Sequence, residues 1–144
     1  MVVGCIPTTE NQILLCRRAI EPCYGKWTLP AGYLENGETV TAGAERETFE
    51  EARAKVENLE PYALYNICYV NQIYLMFRAR LVDQRFRAGS ESLEVKLFSA
   101  DEIPWDEIAF QVIKETLSQY LKDSLSGVFP FYIGDILKKT RSTK

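Results

Sequence analysis

Glu47, Glu50 and Glu51 stand at i, i+3 and i+4, so a helix through them carries three carboxylates on one face. Like charges at that spacing repel, and such a helix forms only where something cationic offsets the cost. The helix itself is expected from a Thr39 or Thr41 cap to about Ala52. Its apolar residues Val40, Ala44, Phe49 and Ala52 make too narrow a stripe to span a core, which places it at a surface or a site. The full spacing is Gly32, five residues, Glu38, seven residues, Arg46-Glu47, two residues, Glu50-Glu51. An isolated Glu-x-x-Glu-Glu reads as a solvated face. Within this longer frame it reads as a divalent-metal site, because hard cations take oxygen ligands.

The remaining chain supplies strands before and after that helix. Residues 2–7 and 12–18 read as a hairpin across the turn residues 8–11. Residues 20–26 are loop, 27–29 are extended because Pro30 disfavours the α region at Leu29, and 31–38 are loop, with Gly32 and Gly37 permitting a tight path. Strands are expected at 54–56, 62–70, 72–82 and 93–98, and an amphipathic helix at 108–121 from the spacing of Ile108, Val112, Ile113, Thr116, Leu117 and Tyr120. Residues 127–136 are apolar enough for one more strand or a packed extension, and residues 136–144 read as a frayed basic tail. This order makes residues 1–144 a single α+β domain.

Composition removes several chemistries. With no histidine, Ser-His-Asp and Cys-His nucleophiles and His-ligated zinc are excluded. No two of Cys5, Cys16, Cys23 and Cys68 form a Cys-x-x-Cys pair; Cys5, Cys16 and Cys68 lie in strand-like stretches and read as buried, reduced thiols. A net charge of −3 gives no basic footprint for nucleic acid, and no apolar run is long enough for a signal or a membrane span. A cytoplasmic location is expected.

Residues 32–54 resemble the Nudix box, G-x5-E-x7-R-E-U-x-E-E-x-G-U with U apolar, and the chain is similar to Nudix hydrolases. The resemblance extends through Leu15-Cys16-Arg17-Arg18, residues 25–33 and residues 91–104, which look like a branch of bacterial and chloroplast-type FAD and ADP-ribose pyrophosphatases. It implies an α/β/α sandwich with a central mixed β-sheet, and hydrolysis of a nucleoside diphosphate linked to another group with Mg²⁺ or Mn²⁺. Members of that branch commonly begin with a zinc ribbon, and this sequence starts where the ribbon would end. Thr48 and Arg53 replace the usual apolar residue and glycine, so the helix end must be built differently here.

By this resemblance Glu47, Glu50, Glu51 and the backbone carbonyl of Ala31 are the metal ligands, and Gly32, Glu38 and Arg46 are the scaffold of the box. Glu91, Glu94 or a box glutamate is the candidate general base. Arg17 and Arg18 adjoin on a strand and so face opposite sides, one of them toward phosphate. Tyr24, Trp27, Tyr33, Tyr69 and Tyr74 are candidates for stacking on adenine or flavin, with Trp27 read as packing. The reaction expected is release of AMP from ADP-ribose or FAD. Alternatives are a nucleoside triphosphate pyrophosphohydrolase and a non-catalytic ADP-ribose sensor. Neither nucleic acid nor membrane is expected as a partner, whereas a homodimer is compatible with the apolar residues 127–136.

Overall fold

The computed structural model describes residues 1–137. It pairs β1 (Val2–Thr9) with β2 (Gln12–Arg18) only at Thr8↔Ile13 and Thr9↔Gln12, across a turn whose Glu10 and Asn11 both take positive φ. Beyond that turn β2 leaves β1 to pair with β7 (Ser92–Ser99) and with the short β3 (Trp27–Thr28). The N-terminal half of β1 takes β4 (Ala31–Tyr33) instead, with Gly4 opposite Ala31 and Val3 opposite Gly32. The sheet therefore forks around Leu29 and Pro30, and the Cys5 N–H donates to the Pro30 carbonyl across the fork at 3.1 Å. Residues 31–33, expected in a loop, are strand because their backbone groups complete the ladder that β2 abandons.

β1 also pairs in parallel with β6 (Gln72–Leu81), which pairs with β5 (Val56–Ile67), which pairs in parallel with β8 (Tyr132–Ile136). The separate strands expected at 54–56 and 62–70 are one strand. Register shifts at Glu57/Glu60 and Pro61/Ala63 absorb Asn58, at φ 57°, and Pro61 inside an internal strand. β5 stops at Ile67, and a 3-10 turn over Cys68–Val70 leaves Cys68 exposed, contrary to the buried thiol expected there. Cys5 and Cys16 are buried as expected, and burial raises both thiols, Cys5 to about 12.

Side chains alternate between the two faces of the sheet. Ile6, Leu15, Tyr62 and Met76 face Val112, Ile113 and Leu117 of α2 (Gln111–Ser126), while Val3, Cys5, Leu14 and Phe77 face α1 (Val40–Ala52). The result is an α/β/α sandwich over a mixed sheet. α1 is capped by Thr39, whose hydroxyl accepts from Ala42 N at 3.1 Å, and it rests on the sheet through Ala44, Thr48 and Ala52, one residue per turn. Thr48 is fully buried in place of an apolar residue, and its hydroxyl donates to the Ala44 carbonyl at 2.8 Å rather than standing orphaned.

α2 starts three residues later than its periodicity suggests. Ile108 bridges Trp27, the Ala109 N–H donates to the Trp27 carbonyl at 2.8 Å, and Phe110 sits at φ 64°. No helix among the described residues is long and apolar enough to cross a membrane. The basic residues at 138–144 lie outside the described residues.

Candidate active site

Arg46 is the hub of the box. Its Nε and Nη2 fork onto Glu38 at 2.6 and 3.0 Å, Nη2 also donates to the Tyr33 carbonyl at 3.1 Å, and Nη1 reaches Glu47 at 2.9 Å and Glu50 at 3.2 Å. Glu38 in turn accepts from the Glu35 N–H at 3.0 Å, which ties the loop before α1 to the helix. The Arg46 contact, then that N–H, holds the Glu38 carboxyl below its ordinary range, and the Glu38 pairing raises Arg46 further above neutrality. One guanidinium thus sets the position of two of the three helix carboxylates.

The third, Glu51, behaves differently. Burial, reinforced by the neighbouring Glu47 charge, pushes its carboxyl up to about 9, against the pull of the Ala31 backbone N–H and of Arg18. Burial also raises Glu47, with Arg46 opposing it, and the two glutamates hydrogen-bond to each other. Gly32 is required for close approach rather than for a turn: a Cβ there would overlap the Glu47 carboxyl group. Gly37, at φ 79°, does make the turn expected of it.

The end of α1 brings in a further carboxylate. Arg53 takes the left-handed conformation itself, at φ 49°, with its N–H on the Phe49 carbonyl at 2.8 Å and its guanidinium over the Phe49 ring. The helix end is thus built as a glycine would build it, correcting the expectation of a different construction. The last carbonyls are then satisfied from residues 87–92: Arg87 N donates to Ala52 O at 2.9 Å, while Gly89 N and Ser92 Oγ donate to Glu51 O at 3.1 and 2.9 Å. This clasp carries Glu91 to the helix.

Glu47, Glu50, Glu51 and Glu91 line one cleft of about 610 Å³, together with Arg18, Ala31, Gly32, Tyr33 and Tyr74. Arg17 and Glu94 do not line it. They sit opposite each other on β2 and β7 and form an ion pair at 3.6 Å, with Arg17 Nε on the Gly25 carbonyl at 2.8 Å. Arg18, the next residue along the strand, does line the cleft, and its guanidinium lies over the Phe110 ring at 4.9 Å. Of the four, Arg18 and Glu91 thus stand in the cleft, and Arg17 and Glu94 stand outside it. Tyr24 lies outside the cleft, and Trp27 packs edge-on against Phe98, as its packing role required.

Phe110 is the residue the sequence concealed, since helical spacing placed it inside α2. A second cavity, of about 390 Å³, adjoins the cleft and shares Tyr33, Tyr74 and Phe110 with it.

The donor set suits a hard divalent cation: carboxylates on one face and a buried carboxyl whose charged form lacks a cation of its own. As the side chains stand, no group of three or more acidic or thiol residues among the described residues encloses an ion. Glu50 is held on Arg46 and burial favours the neutral form of Glu51, so an ion bound here would compete with Arg46 for one carboxylate and with a proton for the other.

A NUDIX domain model matches residues 1–118. The crystal structure of a NUDIX hydrolase from Nitrosomonas europaea is similar over 95% of this chain and 78% of that one, at 53% identity and a TM-score of 0.93. The human 8-oxo-dGDP phosphatase NUDT18 is 27% identical over 128 residues, which span 83% of this chain but 39% of that relative. An ADP-ribose pyrophosphatase from Streptococcus suis shares the fold, with a TM-score of 0.75 over 92% of this chain and 96% of that one, at 23% identity.

Proposed function

The chain belongs to the NUDIX family of hydrolases, and on that premise we propose that it cleaves the pyrophosphate bond of a nucleoside diphosphate linked to a second group, ADP-ribose or FAD, releasing AMP. The convergence of Glu47, Glu50, Glu51 and Glu91 with Arg18 on one cleft supports this reading most strongly. Nudix enzymes generally use divalent metals. Glu47, Glu50, Glu51 and the Ala31 carbonyl would hold Mg²⁺ or Mn²⁺, which when bound neutralises pyrophosphate charge and acidifies water.

The residues of the chain divide the remaining work. Glu91 accepts a proton from the attacking water as its oxygen bonds to one phosphorus and the bond from that phosphorus to the bridging oxygen breaks. Arg18 contacts the phosphate oxygens and draws charge away from the reacting phosphorus. Arg46 and Glu38 touch no reacting atom and act by fixing Glu47 and Glu50. The products are AMP with ribose 5-phosphate, or AMP with FMN.

Product analysis with purified protein and Mg²⁺ tests this. AMP plus a sugar phosphate or FMN is expected; metal binding with no turnover of any dinucleotide or sugar nucleotide overturns it. Glu50→Gln separates enzyme from sensor, because an enzyme loses turnover by orders of magnitude and a sensor keeps both its ligand and its affinity. The name of the human relative favours a second reading, hydrolysis of a free nucleoside polyphosphate. Release of phosphate or pyrophosphate from nucleoside di- or triphosphates, faster than AMP from ADP-ribose, would select it.

A further inference from the structure

Arg53 stands beside four carboxylates and pairs with none of them. It lies three residues beyond Glu50, close enough on the helix surface to meet it, but Arg46 already holds Glu50 at 3.2 Å. The Arg53 guanidinium makes no ion pair or hydrogen bond among the described residues. It rests on the Phe49 ring at 5.3 Å, and Phe49 is itself 42% exposed, so this contact holds it weakly. Nor does the helix end need an arginine. At φ 49° Arg53 closes α1 as the glycine usual at this place in the box would, and glycine would do so without a side chain.

A pocket of about 180 Å³ is lined by Glu47, Glu50, Glu51, Arg53, Ser90 and Glu91. It shares all four glutamates with the larger cleft, so the two spaces meet at the carboxylates. Away from them the walls differ. The cleft has Arg18 and the rings of Tyr33, Tyr74 and Phe110, whereas the smaller pocket has Arg53 and Ser90. That wall is tied to the helix end: Gly89 N and Ser92 Oγ donate to the Glu51 carbonyl, and a Cβ at Gly89 would overlap the Glu50 carbonyl oxygen.

The lining selects its occupant by polarity and by charge. Without a ring or an aliphatic side chain, the pocket offers a base or a flavin nothing to stack on. An unpaired guanidinium and a serine hydroxyl are donors suited to phosphate oxygens. A pyrophosphate seated at the carboxylates would therefore meet one arginine for each phosphate, Arg18 on the aromatic side and Arg53 on the polar side.

We propose that Arg53, with Ser90, binds the phosphate of the non-nucleoside half of the substrate, opposite the phosphate held by Arg18. The assignment rests on the pyrophosphatase reading, whose metal offsets the carboxylate charge, and adds to it a recognition residue that the usual box lacks.

The test is calorimetric binding of inorganic pyrophosphate and of AMP, each with Mg²⁺, to the wild-type protein and to Arg53→Gly. Glycine keeps the left-handed helix end, so the variant should melt no more than about 3 °C below wild type and bind Mg²⁺ alone within about twofold of it. Pyrophosphate should bind the variant about tenfold or more weakly, and AMP, whose single phosphate lies by Arg18, within about threefold of wild type. In turnover of ADP-ribose, KM should rise about tenfold with kcat changed by less than about threefold, the mark of lost substrate binding rather than of a disturbed metal site. Pyrophosphate binding within about twofold of wild type, or an equal loss for AMP, overturns the assignment. The binding arm needs no turnover. Hydrolysis of ADP-ribose with an unchanged KM in Arg53→Gly would keep the reaction and overturn the role of Arg53; pyrophosphate held through Arg53 by a protein that cleaves no dinucleotide would do the reverse.

Discussion

Gly32→Ala separates the demands of folding from those of metal binding at a single position. Gly32 lies on β4 opposite Val3, and the new methyl group would overlap the terminal atoms of the Glu47 carboxyl. Those atoms are the free end of a flexible side chain, so Glu47 can rotate away without moving backbone. The cost to the metal-free fold is its ion pair with Arg46, a partly exposed contact worth about 1 kcal/mol at most. Replacing glycine at a position without positive φ returns about 0.4–1 kcal/mol through the unfolded chain. The two nearly cancel, and the metal-free melting temperature should stay within about 3 °C of wild type. The metal site has no such compensation. Moving a ligand by an ångström or more should lower Mg²⁺ affinity about 10- to 100-fold and kcat by about 10²-fold. Thermal melts with and without Mg²⁺, read beside steady-state kinetics, measure both halves. Wild-type Mg²⁺ affinity, or a metal-free melting temperature lowered by more than about 10 °C, would refute the argument.

Other perturbations probe other contacts. Arg46→Lys keeps the charge but cannot fork onto Glu38 while reaching Glu47, Glu50 and the Tyr33 carbonyl; kcat should fall by about 10²-fold with KM little changed, and an unchanged kcat would refute the scaffold role. Glu51 is raised in the folded protein, so the fold binds a proton that the unfolded chain has lost between its ordinary value and about 9. Stability of the metal-free protein should therefore fall as pH rises through that window, by at most about 1.4 kcal/mol per unit, and Mg²⁺ should bind more tightly with rising pH as it displaces the proton. Denaturant melts and Mg²⁺ titrations at pH 6 to 9 would expose a flat profile if this is wrong. Tyr62→Phe removes the hydroxyl that donates to buried Asp123, leaving Gln119 as that carboxylate's other donor; urea unfolding should show a loss of about 1–3 kcal/mol, and no loss would mean water replaces the hydroxyl.

What the sequence reveals here is local. The Thr39 cap, the narrow stripe of α1 and the shared face of Glu47, Glu50 and Glu51 all follow from positions within a few residues of one another. The features it conceals depend on partners far along the chain. Ala31–Tyr33 reads as loop because its strand character comes from the flank of β1 left open by β2. Arg17 and Arg18 alternate, but which of them faces the cleft depends on which face of β2 the distant α1 covers. Glu91 and Glu94 differ by whether their segment clasps the end of α1 or pairs with Arg17. Phe110 carries the helical spacing and escapes the helix because Ile108 and Ala109 are drawn to Trp27.

The pairing of β5 with β8 sets an order of events during synthesis. Asn66 on β5 meets Asp135 on β8 at 3.4 Å, across 69 residues of chain, and the ladder between them is parallel. On a ribosome, β1, β6 and β5 can assemble while the outer border of β5 still shows unpaired backbone groups, the kind of surface on which neighbouring nascent chains adhere. That border is sealed only when residues 132–136 emerge, and a pairing so distant is also slow to close. Arrested or truncated chains ending before β8 should therefore aggregate even with every residue of the catalytic box in place.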